Sequence, residues 1–160
     1  MRRKKLVFYS LAVLITVIAI IYLVFHFETQ AVLSKKGYVE MRVDKVGTDV
    51  NPYVQLKGEC SLIDIYISPE QAYAIEQGMQ GLSYRPGTHD VLVNILESFD
   101  IKPILVKITK LEDRTYFAEL ALQRWNYFLI LDTRPSDAIA TAVRTNIPIY
   151  VNENLVTKTC

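Results

Sequence analysis

The chain is organised around a run of 22 residues, Leu6 to Phe27, that carries no charged side chain. Fifteen of these are Leu, Ile, Val or Phe. At 1.5 Å rise per residue such a helix covers the roughly 30 Å of bilayer hydrocarbon, and each of the fifteen favours insertion by about 0.3–0.6 kcal/mol. A cleavable signal peptide has an apolar stretch of only ~7–15 residues and a small-x-small cleavage site. The run is longer, and Phe25-His26-Phe27-Glu28 is not such a site. The expectation is an uncleaved transmembrane helix at 6–27, after a basic tail at 1–5 and before a tether at 28–37. Arg2, Arg3, Lys4 and Lys5 precede the span, whereas Glu28, Lys35 and Lys36 follow it. The positive-inside rule then puts the N-terminus in the cytoplasm and the remainder outside, at the cell membrane in single-pass form.

Beyond the span there is room for one domain, expected at 38–155 with a tail at 156–160. The overall charge of +1 conceals an asymmetry, because from Glu28 onward 14 basic side chains face 17 acidic ones, a net of −3. A mildly acidic domain has no global field to gather nucleic acid, so any such contact needs a local cluster of Arg or Lys. Cys60 and Cys160 are the only cysteines and His89 the only histidine after the span, which excludes a zinc cluster. The two cysteines could pair if the domain faces an oxidising compartment.

Val39, Met41 and Val43 alternate with Glu40, Arg42 and Asp44, the period of a strand with one wet face. Tyr53–Lys57 and Cys60–Ile67 read as a hairpin, and Ser68-Pro69-Glu70-Gln71 as the capped start of a helix reaching about Gly78. Thr88 is expected to cap a second helix whose Leu92, Ile95, Leu96 and Phe99 face inward. Ile104–Leu111 and Thr115–Leu122 form another hairpin, and Tyr127–Leu131, continuously apolar, suits a central buried strand. Pro135 opens a third helix with Ile139, Ala142 and Val143 inward, and Ile149–Val151 closes with a strand. This order predicts an α+β fold, a mixed sheet with about three helices on one face. Tyr116, Phe117, Trp125, Tyr127 and Phe128 are read as core, since a base-stacking platform comes with a basic groove.

Polar residues concentrate at two helix starts, Arg85-Pro86-Gly87-Thr88-His89-Asp90 and Asp132-Thr133-Arg134-Pro135-Ser136-Asp137. A helix N-terminus with an adjacent arginine is a ready phosphate site. If the two loops meet, Asp90, Asp132 and Asp137 could hold a divalent cation, Mg²⁺ or Mn²⁺, that activates a water. His89, whose residue type titrates near neutrality, would move the proton. Arg85, Arg134, Ser136 and Arg144 would hold phosphate. The same residues also make well-capped helices, with Pro135 at the first position and an acidic first turn against the macrodipole.

Asp132 through Ala140, continuing to Arg144 and Pro148-Ile149-Tyr150-Val151, resembles the bifunctional nuclease domain family. Arg85-Pro86-Gly87-Thr88-His89-Asp90 is a second match, with the hairpin segment Tyr116-Phe117-Ala118-Glu119-Leu120 between them. The likeness runs from about Val39 to Leu155; Thr133 and Thr141 stand where the family is usually apolar. The resemblance implies an α+β fold and nuclease activity on DNA and RNA. Two readings follow: a metal-assisted phosphodiesterase with nucleic acid as substrate, or a non-catalytic module using the same loops for an anionic ligand or a second copy of the chain in a homo-oligomer.

Overall fold

The computed structural model describes residues 13–24, 34–81 and 85–160. They fall into two compact units, Met1–Ser34 and Lys35–Cys160. In the first, residues 13–24 form helix α1, with its large apolar side chains exposed along its length. The remainder of the predicted span, residues 6–12 and 25–27, lies outside the described residues, as do the basic tail and the tether up to residue 33. Among the described residues no helix is long and apolar enough to cross a membrane.

The second unit runs β1 Tyr38–Gly47, β2 Tyr53–Lys57, β3 Ser61–Tyr66, α2 Pro69–Gln80, α3 Thr88–Ser98, β4 Lys102–Glu112, β5 Thr115–Arg124, β6 Tyr127–Thr133, α4 Pro135–Thr145, β7 Ile149–Asn152 and β8 Thr157–Lys158. The fold is mixed α+β, with one eight-stranded sheet ordered β6-β5-β4-β7-β1-β2-β3-β8 and four helices among the described residues. Local chemistry accounts for most joints. Asp113 and Arg114 both adopt positive φ, the geometry of a two-residue hairpin turn, between Glu112 and Thr115. Ser68 caps α2, accepting from the Gln71 N–H while the Gln71 side chain accepts from the Ser68 N–H. Gly81, in the left-handed region, ends it.

One strand makes the sheet mixed. β7 pairs parallel to β4, Val106 opposite Ile149, and antiparallel to β1, Met41 opposite Ile149. The other ladders are antiparallel. Val106 and Ile108, Leu120 and Leu122, and Ile149 and Val151 present one face of this sheet to Ile75 of α2, Leu96 of α3 and Ile139 of α4. Ala142 is buried and Val143 partly so, as expected for α4.

Three expectations are overturned. Trp125 and Tyr127, read as core, are exposed, because they lie at the β5–β6 turn and on an outer strand. Tyr127–Leu131 is not a central strand: β6 is the sheet's edge, paired among the described residues only with β5, and Leu129, Ile130 and Leu131 are exposed. The central position goes to β7, with three buried residues in succession. α3 is a helix as predicted, but it buries Val93 and Leu96 while Leu92, Ile95 and Phe99 face solvent. Its cap also differs. Gly87 is the N-cap, and its N–H donates to the Asp90 carboxylate at 2.8 Å, so Thr88 is inside the helix. Cys60 and Cys160 form a disulfide with Cα atoms 5.3 Å apart, beside the short β3–β8 ladder.

Candidate functional site at the starts of two helices

The two polar helix starts do meet. His89, in the first turn of α3, places Nε2 at 3.2 Å from Oδ1 of Asp137, in the first turn of α4. Arg134, the N-cap residue of α4, turns its side chain back over the same carboxylate, donating from Nε to Oδ2 at 2.6 Å and from Nη2 to Oδ1 at 3.2 Å. This two-bond fork raises Arg134 further above its ordinary pKa, Asp137 being the cause. His89 is largely covered, whereas the Arg134 side chain is 70% exposed at the mouth of the cluster.

Behind it lies a second ion pair with a different role. Arg144 donates from Nε to Oδ1 of Asp90 at 2.6 Å and from Nη1 to the carbonyls of Ala74 and Ala140, both at 2.9 Å. Its side chain is 8% exposed. One guanidinium thus ties α2, α3 and α4 together. The Arg144 guanidinium, followed by the Gly87 N–H, holds the Asp90 carboxyl below its ordinary pKa. Gly78 makes room for this contact. A Cβ there would lie 2.5 Å from Arg144 Nη1 and 2.7 Å from Val143 Cγ2.

Asp132 belongs elsewhere. Its strand neighbour Leu131 pairs with Leu120, whose side chain lies in the core against the helices, so alternation carries Asp132 to the opposite face. There the register aligns Asp132, Glu119, Lys107, Tyr150 and Glu40 in one row across five strands. Lys107 in this row is buried, and burial holds its pKa below the ordinary value, partly offset by Glu119. The Tyr150 hydroxyl donates to Glu40 at 2.8 Å. This row went unrecognised in the sequence, although its members are spaced at strand positions. Ser136 is buried within the start of α4, and Arg85 is exposed on the approach to α3.

The carboxylates do not fit a shared cation in this arrangement. Asp90 carries Arg144 and Asp137 carries Arg134, and a hard ion would have to displace those guanidinium groups. Among the described residues no group of three or more His, Cys, Asp or Glu side chains is placed to hold a metal. What the cluster can do is orient an imidazole with a carboxylate, beside an exposed arginine at a helix N-terminus. A carboxylate on Nε2 favours the tautomer protonated there, leaving Nδ1 as the basic nitrogen.

The domain is thus an α+β sheet with helices on one face and a histidine–aspartate–arginine cluster where two helices begin. The sequence profile of the bifunctional nuclease domain matches residues 54–160, and the chain belongs to that family. An uncharacterized protein of Mycobacterium tuberculosis strain H37Rv is 34% identical over 92 residues, which cover 57% of this chain and 54% of that one. Bifunctional nuclease 1 of Arabidopsis thaliana is 38% identical over 74 residues, 44% of this chain and 23% of that protein. Bifunctional nuclease 2 of the same plant is 36% identical over 74 residues. The chain spans about half the length of the mycobacterial relatives it matches and under a quarter of the plant ones.

Proposed function

We propose that this chain is a nuclease that hydrolyses phosphodiester bonds of DNA or RNA at the His89, Asp137 and Arg134 cluster. The observation that carries the reading is the 3.2 Å approach of His89 to Asp137 across 48 residues of sequence, in a member of this family. Arg134 receives the phosphate and offsets its charge. Asp137 orients His89, whose imidazole takes a proton from the attacking water. As the phosphorus–oxygen ester bond breaks, the same group returns the proton to the departing oxygen. Asp90 and Arg144 hold the three helices so that His89 and Asp137 stay in register.

The metal-assisted form of this reading puts Mg²⁺ or Mn²⁺ on Asp90, Asp132 and Asp137. It requires Arg144 and Arg134 to release their carboxylates and Asp132 to approach from the other sheet face. For location we propose a single-pass anchor at residues 6–27 with the domain outside the cytoplasm, supported by the charge asymmetry and by the Cys60–Cys160 disulfide. A binding module without catalysis is the rival reading. It is favoured by the bonds that already employ these side chains in capping and helix docking.

The test uses the full chain in detergent with end-labelled single- and double-stranded oligonucleotides, in Mg²⁺, Mn²⁺ or chelator. His89→Ala should lower cleavage about 100-fold or more, and Arg134→Ala should raise KM. Rates unchanged in both variants would assign the cleavage elsewhere. Loss of cleavage in chelator together with loss in Asp132→Ala would support the metal-assisted form. Oligonucleotide binding without cleavage under every condition would favour the binding module.

A further inference from the structure

The two edges of the sheet are built differently. β8 is a two-residue strand containing Lys158 and sits beside the Cys60–Cys160 disulfide, a short, charged edge that discourages pairing. β6 at the other end is seven residues long and apolar over Tyr127–Leu131, ahead of Asp132 and Thr133. Among the described residues its backbone pairs with β5 on one side only, and its apolar side chains are exposed on both faces, Leu129 (43%) and Leu131 (40%) on one and Ile130 (45%) on the other. Tyr127 (65%) and the turn residue Trp125 (78%) extend the patch. Apart from Asp132 near its end, this edge carries no charge or proline to blunt it, and such an edge is a template for another strand.

We infer that β6 pairs antiparallel with β6 of a second copy of this chain, joining two sheets into one across a two-fold axis. The strand is self-complementary about its midpoint. An axis through Ile130 sets Ile130 against its own copy, Leu129 against Leu131, Phe128 against Asp132 and Tyr127 against Thr133. All seven residues then pair and no like charges meet, whereas an axis at Asp132 would oppose two carboxylates and shorten the ladder. At about 150–250 Å² per large side chain, the exposed fractions amount to roughly 500 Å² of apolar surface per copy. A standard interface needs about 800 Å² per partner, and the paired backbone with its flanking turns supplies the remainder. The same register carries the β5–β6 turn of one copy, with Trp125, to the β6–α4 junction of the other, where Arg134 stands.

Sedimentation of the full chain in detergent reads this directly and is independent of any hydrolysis. The wild type should be a dimer at micromolar concentration, and Ile130→Lys should weaken association at least tenfold with unchanged far-UV circular dichroism. A dimer that survives Ile130→Lys, or a wild type that stays monomeric at tens of micromolar, overturns the interface. Ile130→Cys supplies a second reading, because self-opposed Cβ atoms lie about 4.5–5.5 Å apart. It should form a disulfide-linked dimer under mild oxidation, far faster than the fully exposed control Val50→Cys. Equal rates for the two would refute the register.

Discussion

Removing the Asp90 carboxylate should destabilise the domain by about 3 kcal/mol. The figure follows from what Arg144 is left with. Its side chain is 8% exposed, and after Asp90→Ala the guanidinium keeps two carbonyl partners but no counter-charge. Taking one partner from a buried ion pair costs about 3–5 kcal/mol. The Asp90 side chain is itself 23% exposed, so water reaches the pair and about 2–3 kcal/mol applies. The lost acceptor for the Gly87 N–H adds about 0.5–1 kcal/mol. Urea unfolding followed by circular dichroism measures the sum, and in a thermal scan it corresponds to roughly 10 °C. Arg144→Met alone should also be costly, and the double variant should recover about 1–2 kcal/mol relative to additivity. The sign of the pH dependence is fixed as well. The folded Asp90 pKa is depressed, so its contribution is complete above the unfolded value of about 3.9 and is lost as pH falls through the folded value. Wild type should therefore lose stability below about pH 4 more steeply than Asp90→Asn. A cost under about 0.5 kcal/mol, or strict additivity in the cycle, would refute the clamp.

Gly78→Ala ought to raise helix propensity by up to about 1 kcal/mol, yet the new Cβ would crowd Arg144 and Val143. Overpacking of this kind costs about 1–3 kcal/mol. A lower Tm is the expected result, and a higher one would mean that α2 and α4 separate easily. Reducing the Cys60–Cys160 disulfide, which closes a separation of 100 residues, should lower the urea midpoint by an amount equivalent to several kcal/mol, at most about 4–5. Hydrogen exchange should then rise first at Thr157–Lys158, and a midpoint unmoved by reductant would contradict this.

Element types were legible because they rest on local signals: the capping box at Ser68, the alternation of Val39–Val43, the proline opening α4. Position in the sheet was not. Tyr127–Leu131 and Ile149–Val151 are both apolar runs, and only non-local pairing makes the first an edge and the second the centre. The stripe on α3 has the spacing of a buried face, but the sheet offers it contact only through Val93 and Leu96. In the site, the meeting of His89 with Asp137 required tertiary folding, although the polar helix starts marked the right residues. The separation of Asp132 from them was readable in principle. Strand alternation places it opposite to Leu131, and extending the period one residue would have removed it from the cluster. Arg144 near a helix C-terminus is ambiguous in sequence, because a cation there serves the macrodipole as well as a ligand. Its burial against Asp90 emerges only in the folded chain.

The place of β7 governs the order in which this domain can be completed. β1, β2 and β3 form one antiparallel set and β4, β5 and β6 another, and β7 alone is hydrogen-bonded to both. During synthesis each set can close its own hairpins early, from contacts close in sequence. The strands on either side of the gap, β1 and β4, keep open edges until residues 149–152 arrive. Joining Tyr38 to Asn152 closes a long loop at a late step, which slows folding. A nascent chain stalled before Pro148 therefore holds two unfinished sheets, and chaperone demand should peak there and fall once β7 has docked.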